Sequence, residues 1–106
     1  MPEVVILATV SPKPGIESDV EREFSALLEP THAEDGCELY ALHRVRERPG
    51  QLVFVERWTS QEALDAHASS SHIATCIAAC EGRLEGPVDI VTLDPIRGGD
   101  ASKDHV

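Results

Sequence analysis

The sequence predicts an α+β domain of the ferredoxin-like class, a split βαβ arrangement (β-α-β-β-α-β) with an antiparallel sheet. Two observations predict it: β-rich and helical segments alternate in this order, and a Pro-Gly turn separates the two central strands. A chain of 106 residues also suits a single hydrophobic core. Helices would cover only one face of such a sheet. We therefore expect the other face to pack against a second copy, giving a homodimer.

The first half of the chain begins with an apolar run over residues 3–11 that shows little alternation, which predicts a strand covered on both faces. Apolar side chains at helical spacing predict a helix over 16–28, with acidic residues on its other side. Pro30 should end or kink this helix, and Gly36 closes any further turn.

The second half opens with a hairpin and continues with helical and β-rich segments. Thr59 and Glu62 form a capping box ahead of the first of these helices. The predicted elements are strands 37–46 and 51–58, helices 60–68 and 71–82, and a last strand 86–94.

The predicted domain covers residues 1–96. Residues 97–106 have no apolar pattern and are predicted to form a disordered C-terminal tail.

Charge and composition exclude several classes of partner. Nine Lys and Arg against nineteen Asp and Glu give a net charge of −10, which disfavours nucleic acid. No segment has the roughly 20 apolar residues of a membrane span. The odd number of cysteines (Cys37, Cys76 and Cys80) fits a reducing compartment, so we expect a cytoplasmic protein. His72, Cys76 and Cys80 share a helical stripe, but cysteines beside apolar residues are more typical of packing, and we expect no metal.

The two hairpin strands place unusual residues on one face. A turn of even length would put His43 on the same side as Phe54, Glu56 and Trp58, and Tyr40 on the opposite side, under the helices. Mid-strand polar groups on an apolar face need a partner or water. His43 and Glu56 could therefore pair structurally or line a cavity, and the two alternatives are compatible.

Two further histidines lie near the helices that follow. His67 ends the first of them and His72 begins the next. An imidazole titrates near neutrality and is suited to proton transfer. A lone helical histidine is, however, more often a packed or capping residue, so the pattern leaves both roles open.

The chain contains two composite motifs, Glu56-x-Trp58-x-Ser60-x-Glu62-Ala63-Leu64-x-x-His67-x-x-Ser70-x-His72 and the upstream Glu34-x-Gly36-Cys37-x-x-Tyr40. With these motifs it resembles the antibiotic biosynthesis monooxygenase (ABM) superfamily, and most closely its small, quinol-monooxygenase-like stand-alone members. The resemblance covers residues 3–95.

The resemblance implies a dimeric α+β barrel and a cofactor-independent oxygenation of a small aromatic substrate, a quinol or polycyclic phenol, by dioxygen. Within it, Trp58 and Phe54 are candidate cavity walls and His67 is the leading candidate base, with Glu56, His43 and His72 as further substrate-binding candidates. By the same resemblance we set haem degradation aside, since the positions of that branch's Asn, Trp and iron-ligating His hold Ala8, His67 and Ile77. Two alternatives stay open on the same fold: a non-catalytic dimer that binds hydrophobic small molecules, and an isomerase of a small hydroxy-ketone.

Overall fold

The computed structural model describes residues 3–106, so the first two residues of the predicted domain lie outside the described part. The elements, in chain order, are β1 (Val4–Val10), α1 (Glu17–Ser25), α2 (Leu28–His32), β2 (Cys37–Arg44), β3 (Leu52–Trp58), α3 (Gln61–Ala68), α4 (Ser71–Ala79) and β4 (Asp89–Leu93).

The strand order in the sheet is β2-β3-β1-β4, and every neighbouring pair is antiparallel. This order, with two helical crossovers, confirms the predicted ferredoxin-like fold.

Each crossover contains two short helices. In the first crossover the predicted helix over 16–28 is interrupted after Ser25, and α2 begins at Leu28 with Pro30 in its first turn. Proline lacks an N–H and is tolerated only where that group would be unpaired, which explains why a new helix starts just before it. In the second crossover, Ser60 caps α3, accepting from the Ala63 N–H at 3.1 Å, one residue later than the predicted capping box.

The register of the β2–β3 hairpin differs from the prediction. Arg44 pairs with Leu52, so seven residues separate the paired ends, and Tyr40 pairs with Glu56 while His43 pairs with Val53. An odd connection shifts the face assignment by one residue. The prediction that His43 and Glu56 share one face is therefore wrong. Tyr40, which was predicted on the opposite face, shares the face of Glu56 instead.

The sheet has a covered face and an open face. The covered face packs under α1, α2 and α4 and holds the core residues Ile6, Ala8, Val10, Tyr40, Leu52, Phe54 and Trp58. The open face bears half-buried or exposed apolar residues, namely Leu7, Leu39, Ala41, Val53, Val55, Val91 and Leu93. Val5 is buried on this face, at the edge where the segment around Ile96 lies beside it. The residues named above stay only partly covered within the described chain, which is the apolar sheet face that the sequence predicted.

Beyond β4, residues 94–106 form neither helix nor strand. Asp104 accepts from the Arg97 guanidinium at 2.8 Å and from the Gly98 N–H at 2.9 Å. The disorder of residues 97–106 in solution stays a prediction. No helix within the described part of the chain combines the length and the apolar character that crossing a bilayer requires.

Candidate active site

A compact aromatic and ionisable cluster lies where the ends of β2 and β3 meet α3. The Trp58 ring centroid lies 4.6 Å from that of His67, and Tyr40 lies 5.2 Å from His67 and 4.7 Å from Phe54. Trp58 donates its Nε1–H to Glu56 Oε1 at 2.9 Å. The structure thus brings together four residues that the sequence singled out, together with Tyr40.

The hairpin register explains why these side chains converge. Glu56 and Trp58 are two residues apart in β3 and so point to the same face, and Tyr40 lies directly opposite Glu56 in β2. His67 occupies the last turn of α3, which packs back onto this end of the sheet.

Burial sets the electrostatics of the cluster. Trp58 is 0 % exposed and Glu56 only 5 %. Burial raises the pKa of Glu56, against the opposing effects of the Trp58 hydrogen bond and the neighbouring His67. Burial also raises the pKa of Tyr40 well above its usual range, with the Glu56 charge adding to the shift. Tyr40 is therefore a neutral phenol near pH 7 rather than a base.

Glu34 ties His67 to His72. Its Oε2 lies 2.7 Å from His67 Nδ1 and 2.9 Å from His72 Nε2. An ionised carboxylate only accepts hydrogen bonds, so both nitrogens carry hydrogen in this arrangement. A neutral His67 that donates from Nδ1 keeps Nε2 free to accept a proton, the tautomer that a general base requires.

The sequence pattern alone does not indicate that Glu34 contacts His67. The pairing of the hairpin strands does explain the contact. Cys37 pairs with Trp58, and the Thr59 N–H donates to the Gly36 carbonyl at 2.9 Å, so the segment just before β2 runs alongside the start of α3.

The remaining candidates lie elsewhere. His43 is exposed near the far end of β2, away from Glu56. The His72 side chain contacts Glu34 rather than Cys76 or Cys80. Those two free cysteines are buried in the core, as the packing explanation of the stripe predicts.

A surface groove lies near this cluster. It is an open groove of about 990 Å³ between α4 and the segment leading to β4, here called the α4 groove. Its apolar walls are Phe24, Ile73, Ile77, Leu84 and Val88. None of Phe54, Glu56, Trp58 and His67 lines it, and the Trp58 side chain is fully buried, so the interior next to Trp58 is closed in this structure.

Two residues of the groove wall nevertheless lie near the cluster. The Phe24 ring lies 6.1 Å from Phe54, and Ala68, directly after His67, forms part of the groove wall. An occupant of the groove would therefore contact Phe24 and the α3–α4 junction rather than His67 itself.

The fold and this site define a class: a small ferredoxin-like protein whose sheet and helices enclose a histidine–carboxylate pair and an indole beside an apolar groove. Residues 3–79 match the antibiotic biosynthesis monooxygenase family. The chain belongs to this family.

Relatives and solved structures agree with the assignment. A Mycobacterium tuberculosis protein named "Putative monooxygenase Rv0793" is 36% identical over 93 residues, covering 88% of this chain and 91% of its own. The structure of Rv0793 superposes with a TM-score of 0.84 at 33% identity over 93% of this chain and 100% of that one. The structure of PA3566 from Pseudomonas aeruginosa gives a TM-score of 0.86 at 30% identity, covering 92% and 97% of the two chains.

Proposed function

We propose that this protein is a cofactor-independent monooxygenase that oxidises a quinol or polycyclic phenolic substrate with dioxygen. Membership of a monooxygenase family supports the reaction class. The observation that carries the finer proposal is the His67–Glu34 pair packed against Trp58, with Ala68, the residue after His67, in the wall of an apolar groove.

The chemistry needs an electron-rich anion that is shielded from bulk water. His67 Nε2 removes a proton from the phenolic substrate, while Glu34 holds the imidazole through Nδ1. The substrate anion gives one electron to dioxygen and the two radicals combine. One oxygen atom stays in the hydroxyquinone product and the other leaves as water, so the substrate supplies all the electrons.

The α4 groove is the proposed entry site for the aromatic ring. Its walls are mainly apolar, and its volume lies at the upper end of small-molecule sites, which typically reach about 1,000 Å³. Contact between the substrate and His67 requires Phe24 or the α3–α4 junction to move aside. Trp58 and Phe54 then offer flat surfaces to the ring.

The test is oxygen uptake with a panel of reduced naphthoquinols. We expect His67→Gln to lower the rate by roughly a hundredfold, the usual contribution of a positioned general base. His105→Gln, in the exposed tail, is the matched control and should keep the wild-type rate. Uptake no faster than spontaneous oxidation, or equal rates in both variants, contradicts the proposal.

Blocking the groove provides a separate test. Ala74→Trp places an indole in the groove, whereas Ser18→Trp places one on the exposed surface of α1. We expect only the first to abolish turnover and product binding.

A second candidate function is non-catalytic binding of hydrophobic small molecules. It is favoured by one observation, that the groove wall does not include His67 or Trp58. Equilibrium dialysis that detects quinone binding without any oxygen uptake would support it. Turnover that continues without oxygen would instead indicate the isomerase alternative.

We also propose that two copies pair through the open face of the sheet. Its apolar residues, centred on Val55, Leu7 and Val53, are only partly covered within one chain. Sedimentation should give about twice the chain mass of 11.5 kDa. Val55→Asp should shift the species to the monomer, while Ser18→Asp should not, and a wild-type monomer at micromolar concentration contradicts the pairing.

A further inference from the structure

Three side chains, from the α2–β2 connection, α3 and α4, converge on one point beside the buried cluster. Glu34 follows α2, His67 lies in the last turn of α3, and His72 lies in the first turn of α4. The proposed function uses Glu34 and His67 but leaves His72 without a role. Both imidazoles nevertheless direct a nitrogen at the same carboxylate oxygen.

We propose that Glu34, His67 and His72 bind a divalent transition-metal ion of the Zn²⁺ class. Two imidazole nitrogens and one carboxylate oxygen form a donor set that suits zinc and its first-row neighbours. The three ligand atoms lie within 4.8 Å of one another.

The distances allow an ion with little rearrangement. A tetrahedral ion with bonds of about 2.1 Å holds its ligand atoms roughly 3.4 Å apart. The observed nitrogen–oxygen separations of 2.7 and 2.9 Å would therefore have to open by roughly half an ångström. Small rotations of a glutamate side chain and of a half-buried imidazole can supply this.

The two histidines are held in place by the α3–α4 junction. Ser70 Oγ donates to the His67 carbonyl at 2.7 Å, and the Ser70 N–H donates to the same carbonyl at 3.1 Å. Ser70 is also the N-cap of α4, accepting from the Ile73 N–H. A residue that is hydrogen-bonded to the last turn of one histidine's helix and caps the start of the other's restrains their spacing, as a metal site requires.

The site is also open to solvent on one side. The side chains of Glu34 and His72 are 19% and 21% exposed, whereas that of His67 is only 7% exposed. Each of the two more exposed ligands lines a surface depression, Glu34 beside Gly36 and His72 beside Thr75. An ion can enter there and keep a water in its fourth position. The net charge of −10 favours cations in general.

Metal binding and the proposed base role of His67 exclude each other. An ion on Nδ1 replaces the hydrogen that Glu34 accepts, so a neutral His67 must then carry its hydrogen on Nε2 and cannot accept a proton. The evidence for the metal site does not depend on the proposed reaction, and metal binding is measured without any substrate. Failure of one proposal is therefore distinguishable from failure of the other.

The experiment titrates the full chain, stripped with a chelator, with Zn²⁺ in competition with a chromophoric chelator. We expect one tight site per chain in the wild type. Glu34→Gln and His72→Gln should each weaken binding by more than roughly tenfold, the loss that even a supporting residue produces at metal sites. His105→Gln is the matched control and should bind as the wild type does.

The variants keep the proposal falsifiable. Glu34→Gln retains an oxygen that accepts from both histidines, and His72→Gln changes a half-buried position, so circular dichroism should show folded protein for both. Co²⁺ in place of Zn²⁺ should give visible bands of a four- or five-coordinate site without a thiolate charge-transfer band. Equal affinity in all variants, no binding by the wild type, or a thiolate band that shows binding at a cysteine would overturn the proposal.

Discussion

Trp58→Phe tests the electrostatics of the buried cluster most directly. It removes the Nε1–H that Glu56 accepts at 2.9 Å, at a carboxylate only 5 % exposed. A hydrogen bond to a charged group contributes about 1.5–3 kcal/mol, whereas a neutral one contributes about 0.5–1.5 kcal/mol. Phe also leaves part of the indole volume unfilled, which adds a packing cost.

A second background separates the charge from the packing. In Glu56→Gln the residue at 56 still accepts from Trp58, but it is neutral. Trp58→Phe should therefore cost about 1 kcal/mol less in the Glu56→Gln background than in the wild type at pH 7, because the packing cost is common to both. Urea denaturation followed by far-UV circular dichroism measures each free energy of unfolding. Tryptophan fluorescence is unsuitable because Trp58, the chain's single tryptophan, is the residue replaced. Chain concentration is held fixed because pairing of two copies would affect stability.

The pH dependence has a definite sign. Burial raises the pKa of Glu56 above its ordinary value of 4.5, so the folded chain holds this proton more tightly than the unfolded chain. That contribution to stability is fully present below 4.5 and is lost as the pH rises through the folded pKa. Glu56→Gln abolishes this loss. Trp58→Phe removes a group that lowers the pKa and so moves the loss to higher pH.

Two results would refute this reasoning. One is an equal cost of Trp58→Phe in the two backgrounds at pH 7. The other is a wild-type stability that, relative to Glu56→Gln, increases between pH 4.5 and 7, the range that starts at the ordinary Glu56 value.

Three further predictions concern other parts of the fold. Gly36→Ala should strongly lower the free energy of unfolding measured in urea, because the new Cβ would overlap the Ala63 side chain. Gly86→Ala is the control, since its Cβ meets nothing within 4 Å, and equal effects of the two substitutions would contradict this. Ser60→Ala should cost about 1 kcal/mol of unfolding free energy through loss of the α3 cap, and an unchanged midpoint would show that the cap contributes nothing. Burial raises the pKa of Cys76 to about 12, so iodoacetamide at pH 8 should modify it only in denaturant; rapid labelling of the native chain would refute its burial.

Local signals carried most of the fold prediction. Apolar runs, the Pro-Gly turn and helix caps are signals that depend only on nearby residues. The strands and helices that they predict, such as β1 and β3, lie within a few residues of the predicted bounds. The split of the first helix was foreseeable only in part. Pro30 indicated an interruption, but its place inside the first turn of a new helix depends on how that helix packs.

The composition of the site could not be predicted in the same way. Which residues share the covered face depends on whether an even or odd number of residues separates the paired strand ends. The ERPG turn suggested an even number, but the connection beyond Arg44 has seven residues, and one residue of difference exchanges His43 for Tyr40 opposite Glu56. The contact of Glu34 with His67 spans 33 positions and depends on the same hairpin pairing.

The two carboxylates of the cluster have separate tasks because their surroundings differ. Glu56 is buried beside Trp58 and, within residues 3–106, accepts one side-chain hydrogen bond, from the Trp58 Nε1–H, so it fixes the indole and responds to pH through burial. Glu34 is partly exposed and shared by two imidazoles, so it holds His67, and in the proposed metal site its oxygen binds the ion instead of accepting from the two imidazole N–H groups. Comparing quinol oxidation in the presence of a chelator and in the presence of Zn²⁺ therefore reports on Glu34. If His67 is the base, Zn²⁺ should inhibit the wild type, and Glu34→Gln should resist this inhibition. Equal inhibition of both proteins would show that Zn²⁺ does not act through the Glu34–His67 site.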